Sequence, residues 1–232
     1  MSSKTFPSLN LERELWASGV RFIIGMDEVG RGAIAGPVAV GVALLDNQST
    51  AVDSPWPAQL CDSKLISEKV RNQILPDVQQ WVSGHAVGLA AASEIDSRGI
   101  VTALALAAGR ALDSLLADAS LRQQIARDGA VIILDGSHNW LGAQAAGIDV
   151  MVRTKADRDC VSVAAASVIS KVLRDNLMIE MAPRYEAYGF AGHKGYAAES
   201  HIQALKSIGP SDEHRVTWLT KILGENQLDL EQ

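Results

Sequence analysis

Acidic residues of this sequence stand at the ends of three apolar runs. Asp27 and Glu28 directly follow the run FIIGM, Asp135 follows VIIL, and Asp157 comes just after VMVRTKA. Polar groups at the ends of buried strands converge on one edge of an α/β sheet, where ligands usually bind. Four carboxylates that meet there repel one another unless they are protonated or hold a cation, and Mg²⁺ prefers oxygen ligands. The pattern indicates such a metal site; taken singly, each residue could instead be a cap or turn residue.

The glycine-rich segment GRGAIAG, from Gly30 to Gly36, follows the first acidic pair. Spaced glycines after a strand are also the pattern of a dinucleotide-binding fingerprint, which would indicate an oxidoreductase. That fingerprint has to open a helix, but Pro37 and the strand-like run VAVGVALL come next. The glycines are therefore interpreted as places where the backbone approaches a different ligand closely, with a plain tight turn as the alternative.

Hydrophobic periodicity predicts the elements that position these residues. Five strands are expected, over Arg21–Asp27, Gly36–Asp46, Gly84–Ser93, Ala130–Gly136 and Gly147–Asp157. Helices are expected over Ser67–Trp81, where Pro76 would interrupt or bend the helix, over Ile100–Ala117 and over Cys160–Met181. The pattern is again helical from Ala198 onward, with a break at Gly209-Pro210. The fold class is therefore α/β, with a mixed five-stranded sheet flanked by helices and a helical C-terminal part.

One domain is expected, because no linker divides the chain. The catalytic domain is assigned to residues 20–222, an N-terminal extension to residues 1–19, and a mobile tail to residues 223–232. The segment Asn47–Pro57 is predicted to be a surface loop.

Composition restricts the class of protein. The 232 residues carry a net charge of −6, include 47% hydrophobic residues and have only two cysteines. Disorder and a disulfide framework are thereby excluded, and the scarcity of cysteine suits a reducing cytosol. The N-terminus has no signal-like apolar region and no stretch reaches the ~18 apolar residues of a membrane span. A cytoplasmic monomer without membrane contact is expected. The negative net charge argues against nucleic-acid binding unless metal ions supply positive charge.

The run GMDEVGRGAIAGPVAVGVALL resembles the opening of the type 2 ribonucleases H, the ribonuclease HII family. The resemblance continues in order through DSKLISEKVR, ILDG, KADRDCVSVAAASVISKVLRD, YGFAGHKGYAAESH and LKSIGPSDEHR. It covers the chain from about Val20 to Trp218 and implies a ribonuclease H-like fold. Two departures are the Asn47–Pro57 loop, which is longer than expected, and VTWL after Arg215, where the family commonly has RRSF.

The resemblance implies roles for ten residues. Asp27, Glu28, Asp135 and Asp157 match the four acidic residues that hold two Mg²⁺ or Mn²⁺ ions, and Asp27 is expected to bridge them. The substrate-binding residues that it implies are Gly30, Arg31 and Gly32 at the 2′-hydroxyl of a ribonucleotide, Tyr196 on the following sugar, and Ser63 and Lys64 near backbone phosphates. Asp159 stands two residues after Asp157, but the KAD block favours Asp157 as the ligand.

The activity implied is a metal-dependent endoribonuclease. It would hydrolyse the RNA strand of RNA–DNA hybrids and cut at single ribonucleotides in duplex DNA, leaving 3′-hydroxyl and 5′-phosphate ends by a two-metal mechanism. Three alternatives remain open at this point: a nuclease of other specificity such as a junction resolvase, a dinucleotide-dependent oxidoreductase, and a non-catalytic hybrid-binding protein.

Other residues admit a functional and a structural interpretation. His193, His201 and His214 do not have zinc-ligand spacing, and phosphate contact or capping is favoured for them. Lys155, Lys171 and Arg174 are either phosphate ligands or charges on a solvated helix face. In the tail, Gln227–Leu230 resembles the short peptides by which bacterial repair proteins dock on the sliding clamp; the alternative is a frayed helix end.

Overall fold

A five-stranded mixed sheet forms the centre of the computed structural model, which describes residues 6–49 and 54–224. Its strands are β1 (Phe22–Val29), β2 (Val38–Asp46), β3 (Gly84–Ala90), β4 (Ala130–Asp135) and β5 (Asp149–Arg153). The strand order is β3-β2-β1-β4-β5. The β1–β2 and β2–β3 pairs are antiparallel, whereas β1–β4 and β4–β5 are parallel. The mixed α/β sheet expected from the sequence is confirmed.

Helices surround the sheet and make up the C-terminal part. They are α1 (Asn10–Ala17), α2 (Glu68–Trp81), α3 (Ala92–Arg98), α4 (Ile100–Leu115), α5 (Ala119–Asp128), α6 (Ala156–Asp159), α7 (Val161–Met181), α8 (Phe190–His193), α9 (Glu199–Ile208) and α10 (Thr220–Leu223). In the described residues no single helix is long and apolar enough to cross a membrane; α4 and α5 pass that test only as a pair, bent by 104°.

Helix α2 begins as expected but is not interrupted at Pro76. The Ser67 hydroxyl accepts a hydrogen bond from the Val70 amide and caps the helix. Pro76 removes one amide donor, yet the helix continues to Trp81 because Ile74, Val78 and Trp81 are buried in the core. Tertiary packing here outweighs the local preference of proline.

Close approach of α7 to the sheet depends on small residues on both sides. A Cβ added at Gly25 of β1 would collide with the Ser162 backbone of α7, and one at Gly41 of β2 would collide with Ala166. Helices α7 and α2 cover this face, and α4 covers the opposite face. Along β1, alternate residues such as Ile23 therefore face α7, while Ile24 faces α4.

Residues 6–19 pack on the domain. Leu9 is part of the core on the α7 face, and the Glu12 carboxylate accepts hydrogen bonds from the amide and hydroxyl of Ser162. An extension at residues 1–19 was expected because the segment looks polar. Within this segment lies the amphipathic helix α1, which the periodicity did not reveal and which caps the start of α7 through Glu12.

Candidate active site

Parallel pairing brings Asp27 and Asp135 side by side. Met26 of β1 is paired with Leu134 of β4, and each aspartate is the next residue along its strand. Both therefore stand on the α7 face of the sheet, since they alternate with residues that face α4. The Asp135 carboxylate accepts a hydrogen bond of 2.7 Å from the Ala156 amide. Asp157, the next residue, is thereby held beside the ends of these two strands.

Glu28 follows Asp27 directly and points to the other side of the strand. Its amide donates a 2.8 Å hydrogen bond to the Asp27 carboxylate, which fixes the two residues relative to each other. The Glu28 carboxylate lies 3.3 Å from a guanidinium nitrogen of Arg31. The four acidic residues thus come from two strand ends and from the helix α6 that follows β5.

Burial dominates the electrostatics of the acidic residues. Asp27 is only 3% exposed, and burial raises its pKa well above the ordinary value; the Ser167 hydroxyl opposes this rise, while Glu28 and Asp135 reinforce it. The pKa of Asp157 is also raised, by burial and then by Asp135. A positive charge placed here would relieve both penalties.

Lys64 is one such charge. Its ammonium nitrogen lies 3.5 Å from the Asp157 carboxylate, although most of the lysine side chain is exposed. Burial lowers the pKa of Lys64, but the carboxylates of Asp27, Asp157 and Asp62 together raise it more, so this pKa lies above its ordinary value. One lysine leaves most of the carboxylate charge uncompensated.

The donor set fits a hard divalent cation by its chemistry. Every candidate ligand is a carboxylate oxygen, and buried, mutually repelling carboxylates are the groups that such cations stabilise. Within residues 6–49 and 54–224, however, no three His, Cys, Asp or Glu side chains are close enough to form a finished ligand group. The fold brings the carboxylates to one edge without closing them around an ion.

A cavity of about 440 Å³ adjoins Asp27. Its lining residues are Asp27, Glu28, Val29, Gly30, Arg31, Gly32, Ser63, Lys64, Lys171 and Tyr196. Every substrate-binding residue predicted from the sequence is among them, together with two of the four acidic residues. Asp135 and Asp157 do not line it. We call this space the Asp27 cavity.

Ser63 and Lys64 reach the Asp27 cavity on a short 3-10 turn, Ser63–Leu65. The Asp62 carboxylate accepts a hydrogen bond from the Lys64 amide, and the buried Ser63 hydroxyl lies 2.8 Å from that of Ser167 on α7. Arg71 donates to the Ser63 carbonyl from α2. The turn is therefore anchored to the helices on both sides of it.

Two basic residues of α7 flank the Tyr196 ring. The Lys171 nitrogen lies 5.6 Å and the Arg174 guanidinium carbon 5.5 Å from the ring centroid. Lys171 lines the Asp27 cavity, and its ammonium nitrogen lies 2.7 Å from the Asp175 carboxylate, with which it forms an ion pair. Lys171 had been left open as a phosphate ligand; its place in the cavity favours that interpretation.

Arg174, by contrast, is neither on a solvated face nor a phosphate ligand. It is completely buried, and its guanidinium donates to the carbonyls of Ala35, Pro37 and Lys194. The carbonyl of Gly195 in turn accepts from the amides of Ile34 and Ala35. The glycine-rich segment and the segment before Tyr196 are thus joined into one unit. No local signal in the sequence could have revealed this, because Ala35 and Pro37 lie 139 and 137 positions before Arg174.

The glycine-rich segment opens no helix. It runs from Gly30 into β2, which begins at Val38, so the dinucleotide-binding alternative lacks its structural requirement. Gly30 has φ of +78°, and a Cβ at this position would collide with the Arg174 side chain. Glycine is required there by conformation and by space.

The C-terminal histidines form a structural cluster. His201 and His214 share a 2.9 Å hydrogen bond between their Nε2 atoms, and the ring of His193 stacks on His201 at 4.3 Å. Burial lowers the pKa of His214 to about 4. The zinc alternative finds no support in the described part of the chain, where no metal-holding group of histidines exists.

Asp159, the alternative to Asp157, is paired with Arg153 and Arg158 instead.

The mixed sheet with carboxylates at the ends of β1 and β4 defines an α/β enzyme of the ribonuclease H-like fold. Solved structures support this class. The ribonuclease H2 of Pyrococcus horikoshii OT3 aligns with a TM-score of 0.64 at 25% identity, covering 87% of this chain and 97% of that one. At lower identity the likeness concerns the fold alone. The PCNA:RNase HII complex of Archaeoglobus fulgidus gives 0.61 at 20%, covering 90% and 98%, and Bst-RNase HIII in complex with Mn²⁺ gives 0.62 at 22%, covering 88% and 70%.

Sequence comparison identifies the family. The ribonuclease HII family model matches residues 24–221. The ribonuclease HII of Streptomyces coelicolor is 42% identical over 215 residues, 91% of this chain and 83% of the relative, and that of Thermus thermophilus is 37% identical over 205 residues, 88% and 89%. The chain belongs to the ribonuclease HII family and is an endoribonuclease of the ribonuclease H type, as the motifs predicted.

Proposed function

We propose that this endoribonuclease uses divalent cations to hydrolyse the RNA strand of RNA–DNA hybrids and to cut at single ribonucleotides within duplex DNA. The observation that carries the proposal is the Asp27 cavity, where acidic residues, the glycine-rich segment and Tyr196 line one space. Cleavage and recognition of the sugar can therefore act on the same nucleotide.

The residues that would hold the cations are Asp27, Glu28, Asp135 and Asp157. Asp27 would be the ligand shared by the cations; its position next to Glu28 in sequence and beside Asp135 across the sheet supports this assignment. Two bound Mg²⁺ or Mn²⁺ ions would activate the attacking water and stabilise the leaving O3′, giving a 3′-hydroxyl and a 5′-phosphate. That the related Bst-RNase HIII was solved with Mn²⁺ supports this choice of ions.

Recognition of the substrate is assigned to the rest of the cavity. The backbone of Gly30, Arg31 and Gly32 would contact the 2′-hydroxyl, which is the group that distinguishes RNA from DNA. Tyr196 would pack on the next sugar, while Ser63, Lys64 and Lys171 would contact phosphates. None of these contacts reads a base, so cleavage should depend on the sugar and not on base sequence.

The experiment that tests this function compares three duplexes of one base sequence. One is all DNA, one carries a single ribonucleotide, and one is an RNA–DNA hybrid; each is incubated with protein and Mg²⁺ and the cuts are mapped to the nucleotide. We expect cleavage of the hybrid and one cut at the single ribonucleotide, with the all-DNA duplex intact. Equal cleavage of the all-DNA duplex, or no cleavage of the ribonucleotide duplex, would contradict the proposal.

Docking on a sliding clamp is proposed for Gln227–Leu230, which lies outside the described residues. Support comes from the Archaeoglobus fulgidus relative, which was solved as a complex with PCNA. A tether of this kind would raise the effective concentration of the enzyme on DNA. Deleting residues 227–232 should leave cleavage of a short duplex unchanged and abolish co-elution with purified clamp. Retained clamp binding, or lost cleavage, would show that the tail has a different role.

A further inference from the structure

Arg215 has a buried guanidinium whose hydrogen bonds, in the described part of the chain, all go to backbone carbonyls. It is 0% exposed, and its side chain donates four hydrogen bonds: to the carbonyls of Gly30 at 2.7 Å, Arg31 at 2.9 Å and Gly36 at 3.2 and 3.1 Å. Its own amide donates to the Ile34 carbonyl. Within the described residues it forms no ion pair with a carboxylate. Burying a charge carries a large desolvation penalty, which these hydrogen bonds must offset.

These carbonyls all belong to the glycine-rich segment, 179 to 185 positions earlier in the chain. Three backbone oxygens of one short segment therefore turn inward to a single side chain. Glycine at position 30, with φ of +78°, allows the turn that this requires. The planar fork of arginine suits several carbonyls at once, whereas a lysine ammonium does not have that geometry.

The orientation of the carbonyls determines that of the amides. The described chain contains no cis peptide bond, and in a trans peptide the C=O and the following N–H point in opposite directions. Since the carbonyls of Gly30 and Arg31 point at Arg215, the amides of Arg31 and Gly32 point away from it. Neither amide donates a hydrogen bond to another group in residues 6–49 and 54–224. Both residues are exposed and line the Asp27 cavity.

We infer that Arg215 is a positioning residue for ribonucleotide recognition. By holding the carbonyls of Gly30 and Arg31, it presents the two adjacent amides to the oxygen of the substrate 2′-hydroxyl. The inference rests on the proposed cleavage at ribonucleotides and adds to it the residue that orients the recognising donors. Arg215 itself does not touch the substrate, because it lies beneath the segment and does not line the cavity.

The test is the preference of the protein for a duplex with one ribonucleotide over the same all-DNA duplex. Affinities are measured by fluorescence anisotropy with Ca²⁺ in place of Mg²⁺, for the wild type and for Arg215→Lys. We expect the preference to fall by about tenfold or more in Arg215→Lys, since two aligned donors are lost, while affinity for the all-DNA duplex changes less than about twofold. Leu112→Ala is the control for destabilisation. Leu112 is a buried residue of α4, on the opposite face of the sheet, so the variant should have a lower melting temperature and keep the preference.

A second measurement does not depend on the folding of Arg215→Lys. In ¹⁵N-labelled wild type, the Arg31 and Gly32 amide resonances should shift on adding the ribonucleotide duplex and not on adding the all-DNA duplex. A folded Arg215→Lys variant with wild-type preference, or unchanged Arg31 and Gly32 resonances, would overturn the role of Arg215 alone. A wild type that shows no preference and no cleavage at the ribonucleotide would overturn the proposed function as well.

Discussion

Asp27 and Asp135 are neighbours across the parallel pair β1–β4, each one residue beyond the paired Met26 and Leu134. This relationship places two carboxylates on one face of the sheet, at strand ends where the backbone pairing between β1 and β4 stops. The same face receives Asp157, because the Asp135 carboxylate binds the Ala156 amide. Asp27, Glu28 and Asp135 are thus positioned by the strands in which they lie, and Asp157 is held beside them through the Ala156 amide.

Asp157 and Asp159 offer a matched pair of substitutions. Outer-sphere partners of a metal are worth ~10–100-fold in activity, so loss of a ligand in Asp157→Asn should lower kcat/KM by more than ~100-fold. In Asp159→Asn only the half-exposed pairs with Arg153 and Arg158 are lost, which contribute about 0–1 kcal/mol. Its kcat/KM on a single-ribonucleotide duplex should stay within about twofold of wild type. The reverse ranking would assign the ligand role to Asp159.

Gly30 and Gly32 should respond differently to alanine. Gly30→Ala places a side chain at φ of +78°, at a cost of about 1–2 kcal/mol, and also against Arg174, so its melting temperature should fall together with activity. A Cβ at Gly32 meets no protein atom within 4 Å. Gly32→Ala should therefore keep the wild-type melting temperature and lose activity only through its contact with substrate. Full activity in Gly32→Ala would argue against close contact of this backbone with the sugar.

Tyr196 should act through the face of its ring. Stacking of an aromatic ring on a nucleotide is worth about 1–3 kcal/mol, so Tyr196→Ala should lower kcat/KM on the single-ribonucleotide duplex by about 5- to 150-fold. Tyr196→Phe keeps the ring, and with it the contacts to Lys171 and Arg174, and should keep most of the activity. Equal losses of kcat/KM in the two variants would show that the hydroxyl of Tyr196, and not the face of its ring, makes the important contact with substrate.

The fold and the acidic residues could be predicted because both leave local signals. Apolar runs mark the strands, and carboxylates at their ends mark the edge of the sheet. The sequence did not predict helices α1, α3 and α5, nor the four-residue helices α6 and α8; the strand expected over Gly84–Ser93 ends at Ala90, before α3. Helix α5 has an N-cap at Asp118, but none of its residues is buried, so it lacks the apolar stripe that marks a helix. Helix α1 has an apolar side, but its one buried residue is Glu12, a residue type that indicates a surface position.

The buried side chains that hold the glycine-rich segment in place could not be predicted from the sequence. From the sequence, Arg174 is expected to be a surface charge on a helix. It is buried only because the C-terminal part packs against the glycine-rich segment. The partners of Arg215 lie almost the whole chain away. Contacts of this kind depend on tertiary structure, which no periodicity encodes.

The histidine cluster predicts a pH dependence of stability. His214 has an ordinary pKa of 6.5 and a folded-state pKa of about 4, lowered by burial and by His201. A lowered histidine pKa means that the unfolded chain takes up the proton first, so stability is complete above pH 6.5 and decreases as the pH falls towards 4. At ~1.4 kcal/mol per pKa unit, the loss attributable to His214 reaches about 3 kcal/mol.

Urea unfolding at pH 7.5, 5.5 and 4.5 measures this dependence. His214→Gln should be less stable than wild type at pH 7.5, because it loses its hydrogen bond to His201, and should show a smaller decrease on acidification. His138→Gln, which changes an exposed histidine, should retain the wild-type decrease. Parallel curves for His214→Gln and wild type would exclude the cluster as the source.

The measurement that tests the central claim most directly is cleavage by Asp27→Asn of a DNA duplex with one ribonucleotide. In Mg²⁺ the wild type should cut once, at the ribonucleotide, with no product in EDTA. Asp27→Asn removes the buried carboxylate shared by the proposed cation site and should give no product in Mg²⁺, with its far-UV circular dichroism and melting temperature showing a folded protein. Wild-type cleavage by folded Asp27→Asn, or by wild type in EDTA, would contradict the account.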